Sequence, residues 1–136
     1  MSTYISATLR RQVIERADNR CEYCLLHQAG QEATFHVDHV TPLKSGGETT
    51  LDNLALACVS CSLHKSAKEF VLDEEIGELV PVFNPRKQAW HEHFRWKGYE
   101  MEGLTASGRA TIIALRQNRS IILMIRGEEK ILGRHP

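Results

Sequence analysis

The sequence lacks an apolar run long enough to cross a bilayer, carries no net charge, and has no cysteine outside two pairs. A transmembrane helix needs roughly 20 consecutive apolar residues, and a secretory signal needs an apolar segment near its start, which is absent here. Internal repeats, low-complexity tracts and glycine-rich phosphate loops are also absent. We therefore expect a cytoplasmic protein with no membrane partner.

The neutral charge conceals an asymmetry along the chain. Residues 1–80 carry 7 Lys and Arg against 12 Asp and Glu, whereas residues 81–136 carry 10 against 5. Overall neutrality argues against a protein that coats nucleic acid non-specifically. The basic second part can still supply phosphate contacts, although scattered arginines on a solvated helix face would give the same pattern.

The length and composition are those of an ordinary globular protein. With 136 residues, 42% hydrophobic and 25% charged, the chain can bury a sizeable core. The motifs described below fall in residues 1–70, so we predict a core there and an extension at 71–136 that packs on it. A single domain is the alternative division.

The four cysteines form two C-x-x-C pairs, Cys21 with Cys24 and Cys58 with Cys61. In a reducing compartment such pairs favour a metal site over disulfides. Four thiolates suit the tetrahedral preference of Zn²⁺, so the pattern predicts a structural zinc site. Metal-free thiols are the alternative.

Hydrophobic periodicity predicts helices and strands around these pairs. An apolar residue at every fourth position of 5–17 predicts an amphipathic helix that Ser6 or Thr8 caps. Alternation over 34–40 and the apolar run 54–57 predict two strands, and a helix should follow at about 62–70, with Leu63, Ala67 and Phe70 buried.

The extension is predicted less sharply. A hairpin strand at 98–104 and a helix from Thr105 to about Asn118 are expected, while 121–125 could be a strand or a helical turn. Aromatic and basic residues alternate near Trp90 and Trp96. This pattern fits either base stacking with phosphate contacts or buried anchors with polar tips.

An adjacent acid and imidazole, Asp38 and His39, lie in the first strand just before Pro42. A carboxylate can hold Mg²⁺ or Mn²⁺, and an imidazole can take a proton from water near neutral pH. Neighbouring strand residues point to opposite faces, so a bend or bulge must bring both to one cleft. Asn53 could orient the imidazole directly or by fixing the intervening loop.

The order C-E-Y-C, H-V-D-H-V, G-G-E-T-T-L-D-N-L-A-L-A-C and C-x-x-K resembles the HNH endonucleases of the ββα-metal class. The resemblance covers residues 21 to about 65. It implies an α+β fold, in which an N-terminal helix precedes a ββα-metal core with a zinc knuckle pair and a small α/β extension follows. It also implies a metal-dependent DNA endonuclease that is a monomer or a homodimer.

The resemblance also implies residue roles. Asp38 would be a metal ligand, His39 the general base and Asn53 the central Asn of the motif, while the four cysteines would hold structural zinc. Family members usually carry Asn or His directly after the last cysteine, where this chain has Ser62. Either Ser62 or His64 could complete the site for Mg²⁺ or Mn²⁺, with Ni²⁺ a further candidate metal.

Further contacts are expected around this centre. His36 could contact a ligand of the metal, or it could be an ordinary half-exposed strand residue. Lys65 matches a basic position of the family, and DNA contacts are expected from the following cations: Lys44, Lys65, Arg86 and Lys87. Because Ser62 is a weak ligand, the second candidate function is a zinc-stabilised nucleic-acid-binding module with weakened catalysis.

Overall fold

The computed structural model describes residues 4–136. Its α-helices and β-strands, in chain order, are α1 (Ala7–Arg16), β1 (His36–His39), β2 (Leu54–Ala57), α2 (Val59–Lys65), β3 (Phe70–Asp73), β4 (Glu78–Pro81), α3 (Trp90–His93), β5 (Phe94–Lys97), β6 (Glu100–Gly103), α4 (Ala106–Ala114) and α5 (Ser120–Ile131). This mixture of helices and strands confirms the predicted α+β class. Over residues 4–136, every helix falls short of the length and apolar character that a membrane crossing requires.

The centre of the fold is an antiparallel hairpin followed by a helix. Strand β1 pairs with β2 in a register that sets Asp38 opposite Ala55 and His39 opposite Leu54. All four residues of β2 are buried, which explains its continuous apolar sequence. Helix α2 follows β2 after one residue and packs on both strands. This arrangement is the predicted ββα core.

Helix α1 begins and ends as its sequence predicts. The Ser6 hydroxyl accepts a hydrogen bond from the Leu9 N–H at 3.1 Å, which makes Ser6 the N-cap. The chain leaves the helix through Asp18 and Asn19, both in the left-handed region, with φ of 53° and 58°. Their short polar side chains tolerate this conformation better than most residues. Val13 is buried against the core.

The predicted helix over 62–70 is wrong in its bounds and in its buried face. Cys58 caps α2, so the helix starts at Val59, and Ser66 with a φ of 50° ends it. Phe70 instead begins β3, and the side chains of Leu63 and Phe70 are exposed. The cap on the cysteine moved the helix by one turn, and apolar spacing over a short run could not show this.

Two further antiparallel hairpins, β3–β4 and β5–β6, lie in the extension, and α4 contacts three of their four strands. The Thr105 hydroxyl caps α4, as predicted, but this helix ends at Ala114 instead of Asn118. The undecided segment 121–125 lies within α5. Strand β6 covers part of the hairpin strand expected at 98–104.

One hydrophobic cluster joins the two parts of the chain. Val13 and Leu56 from the first part belong to the same buried cluster as Phe83, Phe94 and Ile122 from the second. The rings of Tyr23 and Phe83 meet edge to face, with centroids 6.5 Å apart. The extension therefore completes the core of the ββα unit.

Candidate metal centre and active site

The four cysteine sulfurs converge at one buried point. Cys21 and Cys24 lie in the turn after α1, while Cys58 caps α2 and Cys61 lies in its first turn. The four Sγ atoms lie within 4.8 Å of one another, and the Sγ atoms of Cys24 and Cys58 are 3.8 Å apart. Zinc–sulfur bonds of about 2.3 Å in a tetrahedron place the sulfurs about 3.8 Å apart. The cluster therefore fits a structural zinc ion.

The chemistry of the cluster is also consistent with a bound cation. All four cysteines are free thiols, and all are buried. Burial raises the pKa of the Cys21 thiol because a thiolate there would lose its hydration. A bound metal ion would supply the missing charge stabilisation and keep the sulfurs deprotonated.

Two residues of the extension support this cluster. The Gln117 amide Nε2 donates to Cys61 Sγ at 3.5 Å and to the Tyr23 carbonyl at 3.3 Å. Arg126 is buried, with its guanidinium 5.0 Å from the centre of the Trp96 ring and donating to the Gln117 and Tyr99 carbonyls. Burial lowers the pKa of Arg126, and the nearby cysteine sulfurs oppose this shift. No local sequence pattern predicts either role.

A second site lies where β1, its following loop and α2 meet. Asp38, His39 and Ser62 line one surface depression of about 240 Å³. Its remaining lining residues are Pro42, Leu43, Ser66 and Ala67. The ladder is regular through His39, and the chain bends at Val40 and Thr41. Of the two expected devices, a bend and a bulge, the structure has a bend after the strand. Asp38 and His39 both line the depression beside this bend.

Asn53 fixes the loop between β1 and β2 through its amide group. Its Oδ1 accepts from the Thr41 N–H at 2.9 Å, while its Nδ2 donates to the Thr41 and Glu48 carbonyls at 3.0 and 2.9 Å. Gly47 lies so close that a Cβ atom there would be 1.9 Å from the Thr41 carbonyl oxygen. Asn53 therefore acts on the backbone of the loop.

The imidazole of His39 contacts a threonine that the sequence did not single out. His39 Nε2 lies 2.9 Å from the Thr49 hydroxyl, so Thr49 sets the direction of the ring. Thr49 belongs to the loop that Asn53 fixes, which connects the two residues indirectly. Thr49 lies within the G-G-E-T-T-L-D-N-L stretch of the resemblance, which assigns it no role, and the loop conformation brings it to the ring.

The two candidates for completing the metal site differ in position. The Ser62 hydroxyl lies in the depression and forms a 2.8 Å hydrogen bond with His36 Nδ1. His64 Nδ1 donates to the Ser60 carbonyl at 2.7 Å within its own helix, and His64 is not part of the depression. Ser62 therefore lines the same depression as Asp38, and its hydroxyl is hydrogen-bonded to His36.

The predicted DNA-contacting cations have different surroundings. Lys44 and Lys87 are exposed, whereas Lys65 is only 3% exposed and donates to the Val40 carbonyl at 3.2 Å. Burial lowers the pKa of Lys65, and the nearby carboxylate of Asp38 opposes this shift. Arg86 forms an ion pair with Glu22, which leaves its guanidinium mostly shielded from solvent.

A divalent ion at the depression would need some ligands other than the side chains of His, Cys, Asp and Glu, such as a hydroxyl, water or substrate phosphate. Across residues 4–136, the four cysteines are the one group of three or more such residues whose ligand atoms converge. Mg²⁺ commonly binds through one or two carboxylates, substrate phosphate and water. The Asp38 carboxylate with the Ser62 hydroxyl fits that open kind of site.

Residues 21–68 match the family described as HNH endonuclease, which confirms the resemblance seen in the sequence. No curated protein gives a match. The matched segment contains both cysteine pairs, the β1–β2 hairpin and α2. The match indicates a nuclease-type function, and the cysteine cluster is consistent with zinc binding.

Proposed function

We propose that this protein is a metal-dependent endonuclease that hydrolyses DNA phosphodiester bonds. The observation that carries the proposal is the shared depression of Asp38, His39 and Ser62 within the segment that matches the HNH family. A carboxylate, an imidazole and a hydroxyl at one open surface provide the ligand and base that phosphodiester hydrolysis requires.

Each residue has a distinct task in this proposal. His39 takes a proton from the attacking water, and because Nε2 faces Thr49, Nδ1 is the nitrogen left to accept it. Asp38 binds the divalent ion, and Ser62 contributes its hydroxyl directly or through water. When bound, Mg²⁺ or Mn²⁺ would neutralise charge on the phosphate and stabilise the leaving oxygen.

Asn53 and His36 have a different kind of role in this proposal, because they position other groups and do not react themselves. Asn53 holds the loop that carries Thr49, and His36 holds the Ser62 hydroxyl. Both are positioning residues, since neither of them lines the depression itself. A chain with one active site cuts one DNA strand at a time. Nicked circular plasmid should therefore appear before linear DNA unless two chains act together.

Supercoiled plasmid tests the proposal most directly. Purified protein should nick it with Mg²⁺ or Mn²⁺, with Ni²⁺ as a further metal to screen, and His39→Ala should slow nicking about 10²–10⁴-fold while the protein stays folded. Asp38→Ala should raise the metal concentration needed. His91→Ala is the matched control, because His91 is an exposed histidine outside the depression. Nicking by His39→Ala at the wild-type rate would contradict the assignment of the general base.

The alternative is a zinc-stabilised binding module with weakened catalysis. The presence of Ser62, already hydrogen-bonded to His36, favours this alternative because a hydroxyl is a poor substitute for an amide or imidazole ligand. DNA binding without cleavage in any of the three metals, by a protein that retains its zinc, would support the module.

A further inference from the structure

A second cleft lies on the other side of the end of helix α2. Its volume is about 330 Å³, within the range of small-ligand sites. Val40 and Thr41 contribute from the bend after β1, directly behind His39, and the opposite wall is the segment 81–88. Ser62 and Ser66 line the depression of Asp38 and His39, whereas Lys65 and Lys68 line the cleft. The lining residues of the two sites thus alternate along the chain at the bend and at the end of α2.

The charge of the cleft favours an anion. Its charged lining residues are Lys65, Lys68, Lys87 and one carboxylate, Glu69. The ammonium group of Lys68 donates to the His64 carbonyl at 2.8 Å, which leaves two of its three N–H groups for other acceptors. Lys68 and Lys87 are exposed, so a phosphate can reach both without displacing a buried side chain.

An exposed aromatic ring stands at the edge of the cleft. Phe70 is 60% exposed, and in the β3–β4 ladder it pairs with Pro81, which also lines the cleft. Leu72 and Leu79 pair on the same outer face of this hairpin but do not line the cleft. An exposed aromatic beside lysines is the combination by which proteins hold unpaired nucleotides, with the base on the ring and the phosphates on the cations.

We propose that this cleft binds one unpaired nucleotide of the DNA strand beside the bond that is cut. The base would stack on Phe70, and Lys68 and Lys87 would contact the flanking phosphates. This inference rests on the proposed nuclease function and adds a substrate preference to it. DNA with a locally unpaired base, such as a bulge, is the expected preferred substrate over intact duplex.

The first test measures binding in the absence of cleavage. Anisotropy of fluorescein-labelled DNA would compare His39→Ala protein, without added divalent ion, on a duplex and on the same duplex with one bulged nucleotide. The bulged DNA should bind about ten-fold more tightly or better, as expected for one stacked base. Phe70→Leu in that background should remove this preference, and Phe70→Trp should retain it.

The matched control is Leu72→Ala, which removes apolar surface from the same hairpin face outside the cleft. It should leave the preference for the bulge unchanged. An equal loss in Leu72→Ala, or a change of oligomeric state in Phe70→Leu with unchanged affinity, would overturn the proposal in favour of a protein-binding face. Equal affinity of the unsubstituted background for both DNAs would also overturn it.

The second test is the salt dependence of binding to single-stranded DNA. Each lost phosphate contact lowers the slope of log affinity against log salt by about 0.7. Lys68→Ala and Lys87→Ala should each show this change, while Lys97→Ala, an exposed lysine outside the cleft, should not. Unchanged slopes in both cleft variants would overturn the cleft assignment. A protein that binds no DNA but keeps its zinc would instead refute the proposed function.

Discussion

At the scale of single residues, the chain departs from the HNH pattern that it resembles at Ser62. Ser62 is the residue of α2 that lines the depression. Its hydroxyl is hydrogen-bonded to the imidazole of His36. His64 is hydrogen-bonded within α2 and lies outside the depression. The contacts therefore favour Ser62 over His64 as the residue that would complete the metal site proposed above.

Ser62→Asn tests this assignment. An amide oxygen is a better ligand and reaches further, so nicking at low Mg²⁺ concentration should increase, and the metal concentration at half-maximal rate should fall. Ser62→His should broaden use toward nitrogen-preferring ions such as Ni²⁺. The measurement is the nicking rate across a series of metal concentrations.

His64→Ala is the matched control for this experiment. It should leave the metal dependence of nicking unchanged, since the ring is held by the Ser60 carbonyl. Loss of activity in His64→Ala, combined with no effect of Ser62→Asn, would show instead that His64 moves into the site.

At the scale of elements, the loop between β1 and β2 depends on one amide group. Asn53 supplies three hydrogen bonds to the backbone of Thr41 and Glu48, and Gly47 leaves room for them. The same loop carries Thr49 to the His39 ring. The orientation of the His39 ring, the proposed general base, therefore depends on the packing of the loop.

Asn53→Ala should lower the free energy of unfolding by about 2 kcal/mol, because partly buried backbone groups lose their partners. Nicking should fall as well, since Thr49 would no longer be held at His39. Urea unfolding and the plasmid assay measure the two effects. Gly47→Ala should act in the same direction through its clash with the Thr41 carbonyl. Asp52→Ala, at an exposed neighbour, should change stability by less than about 0.5 kcal/mol.

At the scale of the whole molecule, the charge asymmetry is largely used inside the protein. Arg86 pairs with Glu22, Arg109 pairs with Asp73, and Arg126 lies buried near the cysteine sulfurs. Arg86 and Arg126 thus connect the extension to the first part of the chain, whereas the Arg109–Asp73 pair lies within the extension. Lys68 and Lys87 remain exposed.

The extension should also affect how tightly the four cysteines bind zinc. Gln117→Leu removes the N–H that faces Cys61 Sγ, and loss of such an outer hydrogen bond typically lowers metal affinity about 10–100-fold. Zinc release to a chromogenic chelator should therefore be faster, with Cys58→Ser as the variant that loses the metal altogether. Gln12→Leu, at an exposed glutamine of α1, should release zinc at the wild-type rate. Identical release by Gln117→Leu would refute a role for the extension in zinc binding.

Much of this architecture was predictable from the sequence because its signals are local. Paired C-x-x-C spacing predicted the cysteine cluster, and apolar spacing with Ser6 predicted α1. The continuous apolar run 54–57 predicted the buried strand β2. In α1 and β2 the relevant residues are a few positions apart, so backbone geometry alone sets the face that is buried. The two cysteine pairs are 34 or more residues apart, and the prediction that they meet depended on the shared ligand chemistry of the four thiols.

The tertiary structure decided which side chains meet across elements. The contacts of Thr49 with His39, of His36 with Ser62 and of Gln117 with Cys61 join residues 10, 26 and 56 positions apart. Such contacts depend on how the loop closes and how the helices cross, and no periodic pattern records either. Apolar spacing also could not show that Phe70 is an exposed strand residue, because the cap at Cys58 and the turn at Ser66 set the bounds of α2.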